Sequence, residues 1–125
     1  MMDSTLGSFE EAVLMAVYAN GDNAYGATIY TKLEEWKQSS LSMGAIYKTL
    51  GRLEAKGYLD PKEGPPEPKR RGRRKKFYRL TGTGITALNG VRAMRRRMDT
   101  SLGLSGGGLA LNAWQWGRLA GVWCE

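Results

Sequence analysis

The most distinctive chemical feature of the chain is a cationic run at residues 69–80, KRRGRRKKFYRL. Eight of its twelve side chains carry a positive charge, and two aromatic residues lie near its end. Guanidinium and ammonium groups form charge-assisted hydrogen bonds with phosphate oxygens, so this run is suited to a polyanion. A disordered basic tail, a targeting signal or a solvated loop would have a similar composition. The elements around the run must decide among these interpretations.

The positive charge is local. The chain has 125 residues and a net charge of +7. Residues 1–68 contain six Lys and Arg against ten acids, residues 69–98 contain twelve and no acid, and residues 99–125 contain one Arg and two acids. A patch of this kind indicates a polyanionic partner such as nucleic acid or an anionic membrane surface, whereas a solubilising loop usually mixes both signs.

Several residue types that enzymes and metal sites need are scarce. There is no histidine, and the one cysteine, Cys124, has no partner for an intrachain disulfide. The longest apolar run, at 12–19, has eight residues, well short of the ~20 that span a bilayer. The N-terminus lacks the basic and apolar regions of a signal peptide. We therefore expect a soluble cytoplasmic protein that is not an enzyme and has no cofactor, no metal and no membrane partner.

Three helices are predicted at 8–19, 25–37 and 42–56. Ser42 is a good N-cap for the third helix, and Gly57 stands where a left-handed C-cap glycine belongs. The expected apolar stripes are Phe9, Val13, Leu14 and Val17 in the first helix, Tyr25, Ile29, Leu33 and Trp36 in the second, and Ile46, Leu50 and Leu53 in the third. The short connections require these helices to pack compactly.

After Gly57 the pattern favours two strands, at 58–60 and 75–80, with Tyr78 and Leu80 on one face. The prolines and glycines between them indicate a stiff hairpin tip. Thr81 is expected to cap a fourth helix that continues to Met98. The predicted fold is mainly α with a small β-hairpin, a winged helix-turn-helix at residues 1–80.

In such a fold the third helix has one free face, which can enter a major groove. A polar outer face occurs on most helices, and Arg52 could simply pair with Glu34, Glu35 or Glu54. The adjacent cationic wing makes nucleic-acid binding the stronger interpretation. The candidate residues are Ala45, Lys48, Thr49 and Arg52 on the helix, and Lys69, Arg70, Arg71, Arg73, Arg74, Lys75 and Lys76 on the wing.

Two stretches carry a resemblance to a known family. LSMGAIYKTLGRLEAKGYL at 41–59 and GRRKKFYRLTGTGITAL at 72–88 resemble the PadR family of bacterial transcriptional regulators. The family pattern is matched by Ser42, Gly44, Ala45, Ile46, Tyr47, Leu50, Leu53 and Gly57, and then by Gly72, Arg73, Lys76, Phe77, Tyr78, Arg79, Leu80, Thr81 and Gly84, while Tyr25-Gly26 also fits.

The resemblance implies a dimeric repressor that binds double-stranded DNA at a pseudo-palindromic operator. Its third helix, including Ser42, would read the major groove, and its wing would contact the backbone or minor groove. Residues 81–125 would form the C-terminal helix and tail that make the homodimer. Tyr47 would donate to a phosphate, although it could instead be a core aromatic.

Many members of the family sense a small molecule, so a small aromatic or apolar effector is a further expectation. Phe9, Trp36, Trp114 and Trp116 could line its pocket or form the dimer interface, although helically spaced tryptophans are more often ordinary core. From Leu109 onward the chain forms either a separate helix or a loosely ordered tail. An RNA- or ribosome-associated adaptor and a protein-interaction module remain the alternative functions.

Overall fold

The computed structural model describes residues 6–67, 74–104 and 109. Its elements are α1 (Ser8–Asn20), a 3-10 turn (Gly21–Asn23), α2 (Gly26–Glu35), α3 (Met43–Ala55), β1 (Leu59–Pro66), β2 (Arg74–Leu80) and α4 (Gly82–Ser101). This order confirms the predicted mainly helical architecture with one hairpin. Among the described helices, none combines the length and the apolar character that crossing a bilayer requires.

The chain divides into two compact units, residues 1–92 and 93–125. The division into residues 1–80 and 81–125 stays a prediction about function. Within the second unit, the structure describes the last turns of α4, whose side chains are almost all exposed. The predicted helix or tail begins at Leu109, and its residues from 110 onward lie outside the described residues.

The core of the first unit lies where α1, α2 and α3 meet. Leu14, Ile29, Ile46, Leu50 and Leu53 are completely buried there, which confirms most of the predicted stripes. Burying one such side chain is worth about 1.5–3 kcal/mol relative to leaving it in water. This core fixes the positions of α2 and α3.

The prediction that Trp36 lies on the buried stripe of the second helix is wrong. The residue is the C-cap of α2 and is 45% exposed. The helix ends there because Lys37 adopts φ 60°, and the amides of Lys37 and Gln38 donate to the carbonyls of Glu34 and Leu33. This closing motif ends α2 at Trp36 and leaves the indole at the exposed end of the helix.

Both ends of α3 were predicted correctly. The Ser42 hydroxyl accepts a hydrogen bond from the Ala45 N–H at 3.1 Å. Gly57 has φ 81°, and the Tyr58 N–H donates to the Leu53 carbonyl at 3.0 Å. The helix therefore begins and ends through bonds made within its own sequence neighbourhood.

The hairpin is longer than predicted, because β1 continues to Pro66 and β2 begins at Arg74. The strands are antiparallel, with Leu59 opposite Leu80, Pro61 opposite Tyr78, and an irregularity between Glu63 and Pro66. The Tyr78 N–H turns away from β1 and donates to the Ala24 carbonyl at 2.9 Å. In the part of the chain that the structure describes, no strand pairs with the other side of β1, so prolines without an N–H are tolerated in it.

The start of α4 was also predicted correctly. The Thr81 hydroxyl accepts from the Gly84 N–H at 3.0 Å, so Thr81 is the N-cap. Gly84 and Leu88 are the buried residues of this helix, whereas Ile85 is 42% exposed.

Candidate nucleic-acid interface

The outward face of α3 carries the first part of the candidate interface. Tyr47, Lys48 and Arg52 are exposed on it, and Ser42 is exposed at its N-terminus. Ala45 is half-buried. These positions form one solvent-facing surface of a helix that is anchored on its other side by the core.

Thr49 does not belong to this surface. Its side chain is 4% exposed, so its predicted place on the free face is wrong. Thr49 follows Ile46 by three residues and precedes Leu53 by four, which puts it on the buried stripe. The helical spacing of Thr49 from Ile46 and Leu53 is the sequence signal for this burial, and its polar side chain conceals it.

Lys48 and Arg52 have different electrostatic surroundings. Within the described residues, the structure pairs Lys48 with no carboxylate. Arg52 Nη1 lies 3.8 Å from Glu10 Oε2, and its side chain remains 50% exposed. Its partner is therefore Glu10 of α1 and none of the three acids that the sequence suggested. Both cations remain accessible to a phosphate or a base edge.

Glu10 is a buried carboxylate that joins α1 to the end of α3. Lys56 Nζ donates to both of its oxygens, at 3.0 and 3.1 Å, and the Gly7 N–H donates to Oε1 at 3.0 Å. Burial alone would raise the pKa of Glu10, but these hydrogen bonds and the charges of Lys56 and Arg52 lower it overall. Glu10 therefore stays ionised and helps hold α3 in place.

The wing carries the second part of the candidate interface. Arg74, Lys75 and Lys76 are described at the start of β2, and Arg74 Nη1 donates to the Gly64 carbonyl at 3.3 Å. The other predicted wing cations lie outside the described residues: Lys69, Arg70, Arg71 and Arg73. The DNA-contacting role of all seven stays a prediction.

Lys76 connects the wing to α3. Its Nζ lies 3.3 Å from Glu54 Oε1 and 5.7 Å from the centre of the Tyr78 ring. Electrostatic interaction with Tyr78 and the hydrogen bond to Glu54 raise the pKa of Lys76, so the ammonium group stays charged. The contact joins β2 of the wing to the last turn of α3.

Lys75 connects the wing to the start of α2. Its Nζ lies 3.1 Å from Glu67 Oε2 and 4.3 Å from the centre of the Tyr25 ring. Hydrogen bonds to Glu67 and Tyr25 raise the pKa of Lys75. Phe77 packs edge-on against the same ring, with the ring centres 5.2 Å apart. Tyr25 is thus a residue of the candidate site, although the sequence placed it in a helical stripe and in the family pattern and not in the interface.

The aromatic end of the cationic run anchors it, as the sequence predicted. Tyr78 is 7% exposed within the core, and burial is the main reason that its pKa is raised. Leu80 packs against the same core. The run is therefore attached to the folded unit at its C-terminal end, which a free basic tail would not be.

The predicted effector or dimer residues are only partly described. Phe9 is half-buried and packs against the core, while Trp36 is exposed at the end of α2. Trp114 and Trp116 lie outside the described residues. Their grouping into a pocket or an interface stays a prediction.

Three packed helices, a cationic antiparallel hairpin beside the third and a following helix define the winged helix-turn-helix class. Residues 13–90 match the model of the Transcriptional regulator PadR-like family. The chain belongs to this family, whose members are transcriptional regulators. Among curated proteins, no sequence gives a significant match.

Solved structures have the same fold. A PadR-like transcription factor from Bacteroides fragilis has a TM-score of 0.64 and 23% identity, covering 76% of this chain and 86% of its own. A PadR family regulator from Clostridium difficile has a TM-score of 0.60 and 22% identity, covering 77% and 96%. BpsR of Bordetella bronchiseptica, described for the regulation of its DNA binding by 6-hydroxynicotinic acid, has a TM-score of 0.59 and 20% identity, covering 98% and 80%.

Proposed function

We propose that this regulator is a homodimeric repressor that binds double-stranded DNA through α3 and the wing. The observation that carries the proposal is the ionic contact between Lys76 and Glu54, 3.3 Å across. It joins a strongly cationic hairpin to α3, the helix that carries the exposed residues Tyr47, Lys48 and Arg52. A duplex that received α3 in its major groove would therefore meet the wing on the adjacent backbone.

The two surfaces have different roles in this proposal. Lys48 and Arg52 can reach base edges, because both project from the exposed face of α3. The wing arginines and lysines bind phosphates and contribute most of the affinity by releasing counterions, with little sequence information. The Tyr47 hydroxyl donates to a phosphate and helps fix the register.

Dimer formation would place two copies of α3 about one helical turn of DNA (~34 Å) apart, facing the half-sites of a pseudo-palindrome. Occupation of such an operator would block transcription sterically. Residues 81–125 are the proposed dimerisation region. The proposal includes a cytoplasmic location, which a single cysteine is compatible with.

Relief of repression by a small aromatic or apolar molecule completes the proposal. The reported control of BpsR by 6-hydroxynicotinic acid supports it, since that protein has a similar fold. Adding such a compound should release the protein from a bound duplex. If no compound in a panel of aromatic acids changed the affinity for DNA, control by such an effector would be ruled out, and the proposed DNA binding would be unaffected.

The central experiment measures affinity for a labelled duplex at increasing salt concentrations. The logarithm of the binding constant should fall linearly with the logarithm of the salt concentration, with a slope of about −0.9 for each phosphate neutralised. A flat salt dependence would contradict the role of the wing. Competition by structured RNA at one fixed salt concentration supplies the control, because preference for RNA would favour an adaptor function instead.

A further inference from the structure

Gly26, the first residue of α2, has a neighbour that leaves no room for a side chain. The residue is buried, and a Cβ built on it would lie 2.8 Å from Tyr47 Cζ and 3.0 Å from Tyr47 Cε1, with Tyr47 Oη still closer. Real Cβ atoms do not approach other atoms so closely. The phenol ring of an α3 residue therefore lies directly against the first turn of α2.

The two partners of this contact differ in their freedom to move. The first turn of α2 is held by the Ile29 N–H donating to the Tyr25 carbonyl at 2.9 Å and by the Tyr25 N–H donating to the Thr28 hydroxyl at 3.0 Å. The Tyr47 side chain is 52% exposed. An added methyl group at position 26 would therefore displace the phenol and leave the helix in place.

We infer that Gly26 is a positioning residue for DNA binding, because its missing side chain sets the direction of the Tyr47 hydroxyl. With glycine at position 26, the Tyr47 ring packs against α2, and its hydroxyl is held in one orientation relative to the exposed face of α3. A single orientation reduces the side-chain entropy lost when the hydroxyl meets a phosphate. This inference rests on the proposed DNA-binding function and assigns to it a residue that touches no DNA.

The test compares Gly26→Ala, Tyr47→Phe and the double variant in binding to a duplex that the wild-type protein selects from a random-sequence library. Tyr47→Phe removes only the hydroxyl, and we expect affinity to fall roughly fivefold or more. Gly26→Ala should cause a similar fall. The double variant should bind no more weakly than Tyr47→Phe alone, because the displaced hydroxyl is already absent.

Gly82→Ala is the matched control. Gly82 is also the first residue of a helix, but a Cβ built on it meets nothing within 4 Å. This variant should bind as the wild type does. Thermal unfolding followed by circular dichroism should show a cooperative transition for every variant, because none of them removes a core side chain.

Three outcomes would overturn the inference. Gly26→Ala could bind like the wild type, the effects of Gly26→Ala and Tyr47→Phe could add in full, or Tyr47→Phe could bind like the wild type. If Lys48→Ala still weakened binding in any of these cases, the proposed DNA-binding function would stand without the role of Gly26. Failure of the wild-type protein to select any duplex would overturn both.

Discussion

Lys48 and Lys76 carry the same ammonium group in different surroundings. Lys48 projects from the outward face of α3 and, in the part of the chain that the structure describes, pairs with no carboxylate. Lys76 is held by Glu54 and lies over the Tyr78 ring. In the proposed complex, Lys48 contacts the DNA, whereas Lys76 chiefly attaches the wing to α3. The two lysines differ in their surroundings and not in their chemistry.

Replacing Lys48 with alanine should reduce discrimination between selected and random duplexes. A specific base contact is worth about 1–3 kcal/mol, whereas a phosphate contact is shared by all sequences. Arg52→Ala should reduce this discrimination in the same way. Arg74→Ala, on the wing, should weaken binding to both duplexes by the same factor. Fluorescence anisotropy with the two duplexes measures the ratio of the affinity for the selected duplex to that for the random duplex. The same ratio for all three variants would contradict this division of roles.

At the scale of elements, the position of α3 depends on two ionic contacts with its neighbours. Glu10 of α1 binds Lys56 and approaches Arg52, while Glu54 binds Lys76 of β2. The Glu10 side chain is buried, at 8% exposed. In the second contact, the side chains of Glu54 and Lys76 are 35% and 50% exposed. Removing one partner of a buried ion pair costs more stability than removing one partner of an exposed pair, because the remaining charge loses its compensation in a poorly solvated site.

Glu10→Gln should destabilise the protein at neutral pH by about 1–3 kcal/mol, since Lys56 would lose its charged partner. The folded-state pKa of Glu10 is lowered, so its ionised form stabilises the fold above the ordinary value of about 4.3. That contribution is lost as the pH falls through the folded-state pKa, and the difference between variant and wild type should shrink there. Urea unfolding of both proteins at several pH values measures this difference in the free energy of unfolding.

Glu35→Gln is the control for this prediction. Glu35 pairs with Lys32 at 3.2 Å, but its side chain is 58% exposed. An exposed pair of this kind contributes about 0–1 kcal/mol, so the control should be close to the wild type at every pH. A Glu10→Gln deficit that did not change with pH would assign the effect to packing instead of charge.

At the scale of the whole molecule, the proposed dimer needs an apolar surface outside the core. In the second unit, Met94, Met98 and Leu102 recur at intervals of four residues and are 51%, 50% and 67% exposed. This spacing puts them on one side of α4 and the turn that follows it. These exposed apolar side chains, with Arg95, Arg96 and Arg97 next to them, are compatible with a helix–helix contact between copies of the chain.

Met98→Glu should shift the protein toward monomer, because a carboxylate would be buried in that contact. Sedimentation velocity across a dilution series measures the change. Thr100→Glu adds the same charge on another side of α4 and should leave the distribution unchanged. Truncation after Met98 should also lower dimer stability if the C-terminal segment packs against the dimer. An unaltered sedimentation profile for Met98→Glu would rule out this face of α4.

Local interactions made much of the fold predictable from sequence. The caps at Ser42 and Gly57 bind groups within five residues, and the stripe of Ile46, Leu50 and Leu53 follows from helical geometry. Gly64, Pro65 and Pro66 correctly indicated a hairpin, although not how far its strands would continue. The order of elements and the cationic character of the wing are therefore properties of the sequence itself.

Only the tertiary structure decided which partners these residues meet. Arg52 lies near Glu10, 42 positions away, and Tyr25 receives Lys75 and Phe77 from about 50 positions along the chain. Thr49 is buried because of the face on which α3 packs. Charge, size and periodicity are written in the sequence, but the identity of a distant neighbour depends on how whole elements pack. That packing also brings Tyr47 against Gly26.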